Sequence, residues 1–214
     1  VEEDMSDLVV SIDAGTTGVT VLVIDADTTV RGRAYAEFSQ HFPRPGWVEH
    51  DASEIWEVTS RLLSEALADA GVAASDLAAI GITNQRETSV LWDRSTGEPI
   101  APAIVWQCRR SSGICERIKE DAELEEQLKA RTGLVVDAYF SATKIQWYLE
   151  EIPGARARAE AGELAFGTID SWLIWNLTGG EHVTEHSNAS RTMLYSLEQQ
   201  NWDEWILDAL KIPA

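Results

Sequence analysis

Two short segments carry residues whose types and spacing could do chemistry. The first is Asp13-Ala14-Gly15-Thr16-Thr17-Gly18, set between the apolar runs Leu8–Ile12 and Val19–Ile24. Glycines at 15 and 18 let the backbone turn tightly and approach a ligand closely. Exposed N–H groups and the Thr16 and Thr17 hydroxyls can then donate to phosphate oxygens. Asp13, at the end of the first run, could hold a hydrated magnesium ion that bridges those phosphates. The segment lacks the Gly-Lys-Ser/Thr of a P-loop, and a strand rather than a helix comes after it, which also excludes a dinucleotide fingerprint. An ordinary glycine-containing hairpin has the same spacing, so the two readings stay open here.

The second segment is Gln85-Arg86-Glu87, directly after a strand-like stretch that ends near Thr83. Adjacent opposite charges are most often a solvated surface pair of little energetic value. At the mouth of a sheet, however, they suit a small neutral polyol: Arg86 can donate to two hydroxyls while Glu87 accepts from another. Trp106 and Tyr139-Phe140 could supply apolar faces for a polyol's carbon chain, with the Tyr139 hydroxyl as a polar handle. With nine tryptophans in the chain, core packing is the competing reading for Trp106. His182 and His186 are spaced by four, but Gly179-Gly180 precedes them and no helix is evident, so metal binding there is not expected.

Leu8–Ile12, Val19–Ile24 and about Val30 to Ser39 read as three strands whose short connections require antiparallel pairing. Pro43, Pro45 and Gly46 break the chain, and Ser53 reads as the cap of a helix running to about Ala70. Its apolar face is Ile55, Trp56, Leu62, Leu63, Ala66 and Leu67. Leu77–Thr83 is a further strand, and Ser89–Asp93 should pair with the segment beyond the Ser95-Thr96-Gly97 turn. Ile104-Val105-Trp106 reads as a short buried strand. Helical patterns run from Arg109 to Arg131, then over Ala142–Glu151, Pro153–Ala161, Ile169–Leu177 and Trp202–Leu210. No internal repeat or low-complexity linker interrupts the order, which periodicity alone classes as mixed α/β.

Composition narrows the partners. The chain has 214 residues, enough for one domain or one domain with an appendage, and 36 Asp and Glu against 17 Lys and Arg give a formal net charge of -19. Such a balance argues against nucleic acid and anionic membranes as partners. It suits solubility in concentrated salt, where self-repulsion is screened. No apolar run reaches membrane-spanning length. The acidic first residues do not resemble a signal peptide, and Met5 could be a native start. Cys108 and Cys115 have no second cysteine pair or nearby histidine, so reduced cytoplasmic thiols are expected.

Taken together, the segments resemble glycerol kinases of the FGGY carbohydrate kinase family. The stretches that carry the resemblance are Asp13-Ala-Gly-Thr-Thr, Pro45-Gly-Trp-Val-Glu-His-Asp51, Gly81-Ile-Thr-Asn-Gln-Arg-Glu-Thr88 and Ala103-Ile-Val-Trp-Gln-Cys-Arg-Arg110. Phe140-Ser-Ala-Thr-Lys144, Phe166-Gly-Thr-Ile-Asp-Ser-Trp-Leu-Ile-Trp175 and Asn188-Ala-Ser-Arg-Thr-Met193 continue them in family order. The resemblance implies an α/β, ribonuclease H-like domain of the actin, hexokinase and sugar kinase superfamily, with a mixed sheet flanked by helices. It implies that Arg86, Glu87 and Tyr139 hydrogen-bond glycerol or a similar polyol and that Trp106 packs on its carbons. It further implies ATP and Mg²⁺, with Gly15, Thr16, Thr17 and Gly18 at the nucleotide phosphates and Asp13 near the metal through water. A homo-oligomer is compatible with it.

Two departures qualify the resemblance. Gly18-Val19-Thr20 stands where glycerol kinases usually have Ser-Ser-Arg, and losing that cation should weaken ATP binding unless another residue supplies the charge. Asp137-Ala-Tyr-Phe-Ser-Ala-Thr-Lys144 stands where Asp-Pro-Tyr-Phe-Ser-Gly-Thr-Lys is usual. The resemblance also implies that residues 1–214 form the N-terminal domain without its last segment. The catalytic Asp and the second, nucleotide-binding domain are then expected elsewhere, and this chain alone is expected to be inactive.

Overall fold

The computed structural model describes residues 8–214; the readings of the acidic first residues and of Met5 lie outside them. These residues form two compact units, one of residues up to 40 with 53–85, the other of 41–52 with 86–214.

In the first unit, β1 (Leu8–Ala14), β2 (Gly18–Ile24) and β3 (Val30–Glu37) are followed by α1 (Ala52–Ala70) and β5 (Leu77–Asn84). The sheet order is β3-β2-β1-β5. The β1–β2 and β2–β3 pairs are antiparallel, as their short connections require, whereas β1 and β5 run parallel across the α1 crossover. The sheet is therefore mixed. Leu8, Val10, Ile12 and Ala14 alternate into the core, and α1 buries Ile55, Leu62 and Ala66 at helical spacing. The helix begins at Ala52, one residue before the expected cap, so Ser53 lies in its first turn. β5 stays exposed along most of its length, with Ile80 45% exposed, despite its apolar sequence.

The second unit holds an antiparallel sheet in the order β4-β7-β6-β8, made of β4 (Glu49–His50), β6 (Ser89–Asp93), β7 (Ala103–Ile104) and β8 (Leu164–Thr168). The pairing expected across the Ser95–Gly97 turn is a single bridge, Trp92 to Pro99, while the long partner of β6 is β8. Helices α2 (Ser112–Lys119), α3 (Ala122–Thr132), α4 (Ser141–Glu151), α5 (Ala155–Glu160), α6 (Ile169–Thr178), α7 (His186–Ala189) and α8 (Glu204–Ala209) complete it, with the small hairpin β9 (Tyr195–Ser196) and β10 (Asn201–Trp202). Trp202 thus lies in a strand, and the last helix starts after Asp203, whose carboxylate accepts from the Ile206 N–H at 3.1 Å. α6 ends as the sequence predicts, with Gly179 left-handed at φ 76°.

His50 is fully buried in β4, and desolvation, with the nearby His41 charge, pulls its pKa down to about 4. Because the folded value lies below the unfolded one, the unfolded chain gains a proton first as pH falls from about 6.5 to about 4. Stability is therefore lost across that window, by about 3 kcal/mol when complete. Urea midpoints measured at pH 7 and pH 4.5 should show this loss, and His50→Gln should reduce it.

Candidate functional site

The loop between β5 and β6 carries Arg86 and Glu87. Arg86 is exposed and makes no hydrogen bond or ion pair with a described residue. Glu87 is the opposite: its side chain is 4% exposed, and Oε1 accepts from Arg191 Nε at 2.7 Å. Its second oxygen takes no hydrogen bond from a described residue. Burying a carboxylate is costly unless it is paired, so Arg191 accounts for its presence.

Trp106 does not end a strand, as its sequence context suggests. β7 stops at Ile104 and Trp106 falls in the turn after it. There its N–H donates to Thr88 Oγ1 at 3.2 Å, beside Glu87. Its ring meets Tyr139 edge-on with centroids 5.5 Å apart, and Tyr139 meets Phe140 at 5.2 Å. The Arg191 guanidinium lies 5.1 Å from the Phe140 ring centre and 5.8 Å from that of Tyr139. Within this unit, then, Glu87, Trp106 and Tyr139 are brought together.

The Tyr139 turn is held at both ends. Asp137 accepts the Tyr139 N–H at 2.8 Å and a two-pronged pair from Arg109, at 2.6 and 3.2 Å. The Arg109 hydrogen bond holds the Asp137 carboxyl below the usual carboxylate range. From beneath, the fully buried Lys144 ammonium donates to the Tyr139 carbonyl and, at 3.3 Å, to that of Phe140. Desolvation drives its pKa down to about 7 against the pull of Glu87, Cys108, Cys115 and Asp137. Sequence reasoning singled out neither Lys144 nor Arg191; both lie inside motif segments, but neither type nor spacing marks them.

In the other unit, residues 15–17 join β1 to β2. The Gln85 N–H binds the Ala14 carbonyl at 3.0 Å, Gln85 Nε2 the Gly15 carbonyl at 3.2 Å, and Gln40 Nε2 the Thr16 carbonyl at 3.0 Å. Three carbonyls of the hairpin are thus tied back. Thr17 is exposed, and Asp13 is exposed with no described residue as partner. Asp13 stands opposite Thr20 in β2 and Thr83 in β5, so the residue replacing the expected Arg shares the carboxylate's face. Gly18 is fixed by packing: a Cβ there would lie 2.6 Å from the Ala36 carbonyl of β3. Among the described residues no cluster of three or more metal-ligating side chains exists, and His182 instead approaches the Phe166 carbonyl at 2.7 Å. A lone exposed carboxylate fits magnesium held largely through water and phosphate oxygens.

Residues 8–214 match the N-terminal domain of the FGGY family of carbohydrate kinases. The chain belongs to that family. Glycerol kinases from Trichlorobacter lovleyi and Carboxydothermus hydrogenoformans are 59% identical over 206 residues and 55% over 207, covering 96% of this chain and 41% of each relative. The FGGY chain therefore spans about two-fifths of the length of these relatives. Plasmodium falciparum glycerol kinase, solved with ADP, superimposes with a TM-score of 0.90 at 32% identity, over 96% of this chain and 41% of that one. A gluconate kinase from Lactobacillus acidophilus gives 0.84 at 20% identity over 96% and 40%, which shows the shared fold alone. No helix among the described residues is long and apolar enough to cross a membrane.

Proposed function

We propose that this chain is the N-terminal part of an ATP-dependent glycerol kinase, which transfers the γ-phosphoryl group of ATP to a terminal hydroxyl of glycerol. The observation that carries the reading is the buried Glu87 carboxylate, tied through one oxygen to Arg191, whose guanidinium also reaches Tyr139, the ring that Trp106 meets edge-on. A small neutral polyol matches it: a hydroxyl donates to the carboxylate while C–H groups lie on the rings. Arg86, with no partner among the described residues, donates to a second hydroxyl, and the Tyr139 hydroxyl completes the set. The identity to glycerol kinases supports glycerol among polyols.

Gly15, Thr16, Thr17 and Gly18 are assigned to the nucleotide phosphates, through backbone N–H groups and hydroxyls. Asp13 would hold magnesium through water, where the metal supplies charge neutralisation of the phosphates. None of these residues is assigned as the proton acceptor for the attacking hydroxyl. Asp137 is engaged by Arg109, and Asp170 accepts from Thr168 and, at 2.6 Å, from Thr184. That role, like the adenine contacts, is assigned to the remainder of the full-length protein. The two buried free thiols, Cys108 and Cys115, support a cytoplasmic setting.

Thr20 in place of the usual Arg favours one other reading, a sugar kinase of the same family with a different polyol. Calorimetric titration with glycerol, xylulose and ATP separates them. Saturable heat with glycerol and none with xylulose is expected; the reverse order would overturn the glycerol assignment.

A further inference from the structure

The geometry points to Arg191 as the positioning residue of the polyol site, acting through Glu87 and the aromatic wall rather than by its charge alone. This role rests on the polyol reading and adds a residue to it. Arg191 Nε lies 2.7 Å from Glu87 Oε1, which occupies one acceptor position of that oxygen and restrains the carboxylate. Oε2, which takes no hydrogen bond from a described residue, is the more open acceptor for a ligand hydroxyl. The same guanidinium covers the Phe140 and Tyr139 rings, which sets the aromatic wall relative to that acceptor. One planar group thus fixes two parts of the site that are far apart in sequence.

Its own presentation is preorganised. Arg191 sits between Ser190 and Thr192, just after α7. The Thr192 carbonyl accepts the Ala142 N–H of α4 at 2.8 Å, and Thr192 Oγ1 bonds the Ala189 carbonyl at 2.7 Å. Met193, fully buried, is held left-handed at φ 64°, an uncommon conformation for a side chain of its size. The Arg191 side chain makes no other hydrogen bond with a described residue, so its terminal nitrogens are uncommitted. A lysine could keep the charge near Glu87, but its compact ammonium cannot pair with the carboxylate and also offer a planar group to the rings.

Glycerol affinity is measured by calorimetry on the full chain for wild type, Arg191→Met, Arg191→Lys, Glu87→Gln and the Glu87→Gln/Arg191→Met pair. Arg191→Met should weaken binding roughly 30-fold and Arg191→Lys roughly 5-fold, because only the ion pair is rescued. In the Glu87→Gln background Arg191→Met should cost much less than in wild type, roughly 5-fold, because only its hold on the aromatic wall is then still lost. Equal, additive losses in the two backgrounds, or an unchanged Arg191→Met affinity, would overturn the proposal. A second readout needs no ligand: fluorotyrosine at position 139, monitored by ¹⁹F NMR. Arg191→Met should shift or broaden its resonance and Arg191→Lys should do so less; an unchanged resonance overturns the proposal. If wild type binds no glycerol, the glycerol reading fails and this spectrum still decides the role of Arg191.

Discussion

Gly32→Ala is expected to lower the thermal midpoint of the chain by roughly 10 °C, through a loss of about 3 kcal/mol or more. Gly32 lies in β3, opposite Val23 of β2 and next to the irregularity where Ile24 pairs with Val30. A Cβ there would stand 2.3 Å from the Ala66 carbonyl and 2.7 Å from the Ala70 nitrogen, both on α1. Neither is the far end of a flexible side chain, so strand and helix would have to separate. The same contact is fastened by the Arg33 N–H on Asp69 Oδ2 at 2.9 Å, which separation would stretch. Because Gly32 has no left-handed backbone, the effect is one of space, and serine should behave as badly as alanine. Circular dichroism melts of the two variants check this; a midpoint within a degree or two of wild type would contradict the close approach.

Lys144→Met is expected to stabilise the chain at neutral pH while loosening the Tyr139 turn. The Lys144 amine is fully buried, and its folded pKa of about 7 lies below the ordinary lysine value of 10.5. Between those values the unfolded chain holds a proton that the folded chain lacks, so stability rises with pH across the window and is flat below it. The rise amounts to something on the order of 4 kcal/mol. Methionine binds no proton and fills similar space, so the rise should vanish in the variant. The variant's advantage should be largest at pH 7 and shrink toward pH 10. The Tyr139 carbonyl meanwhile loses its donor, which offsets part of the gain and weakens polyol binding. Urea unfolding at intervals from pH 7 to pH 10 tests this; parallel curves for the two proteins would contradict it.

Much of the first unit is legible in the sequence because period-two burial and short turns leave the three strands few alternatives. Leu8, Val10 and Ile12 alternate with Val9 and Ser11 as the pleat requires. The second unit is less legible where tertiary partners end or extend an element. Ile104-Val105-Trp106 reads as strand, but the Ile104 N–H is taken by the Tyr148 hydroxyl at 3.0 Å, and Cys108 closes a turn onto the Val105 carbonyl. Trp106 is thereby released from the sheet to meet Tyr139. Leu164–Thr168 is hidden because it runs without a break into the apolar α6, and only pairing with β6 makes it a strand.

The candidate site divides the same way. Glu87, Trp106 and Tyr139 are singled out by residue type and by where they fall in loops, and the fold assembles them. Arg191 and Lys144 carry no such signal, since their roles exist only through contacts. The Arg191–Glu87 pair spans 104 positions, and Lys144 acts on carbonyls of its own turn that only burial makes scarce of partners. An arginine or lysine in a motif reads from sequence as surface charge; burial reverses that reading for Lys144, and the pairing with a buried carboxylate reverses it for the half-buried Arg191.

The central claim is that the buried Glu87 carboxylate accepts a hydroxyl of a bound polyol. It is tested most directly by calorimetric titration of glycerol into the full chain and into Glu87→Gln, which keeps shape while removing charge. Saturable binding to wild type, weakened at least about 10-fold in Glu87→Gln, is the result expected for loss of a charged hydrogen bond. Saturable binding of equal strength by both proteins, or none by wild type, would contradict the account.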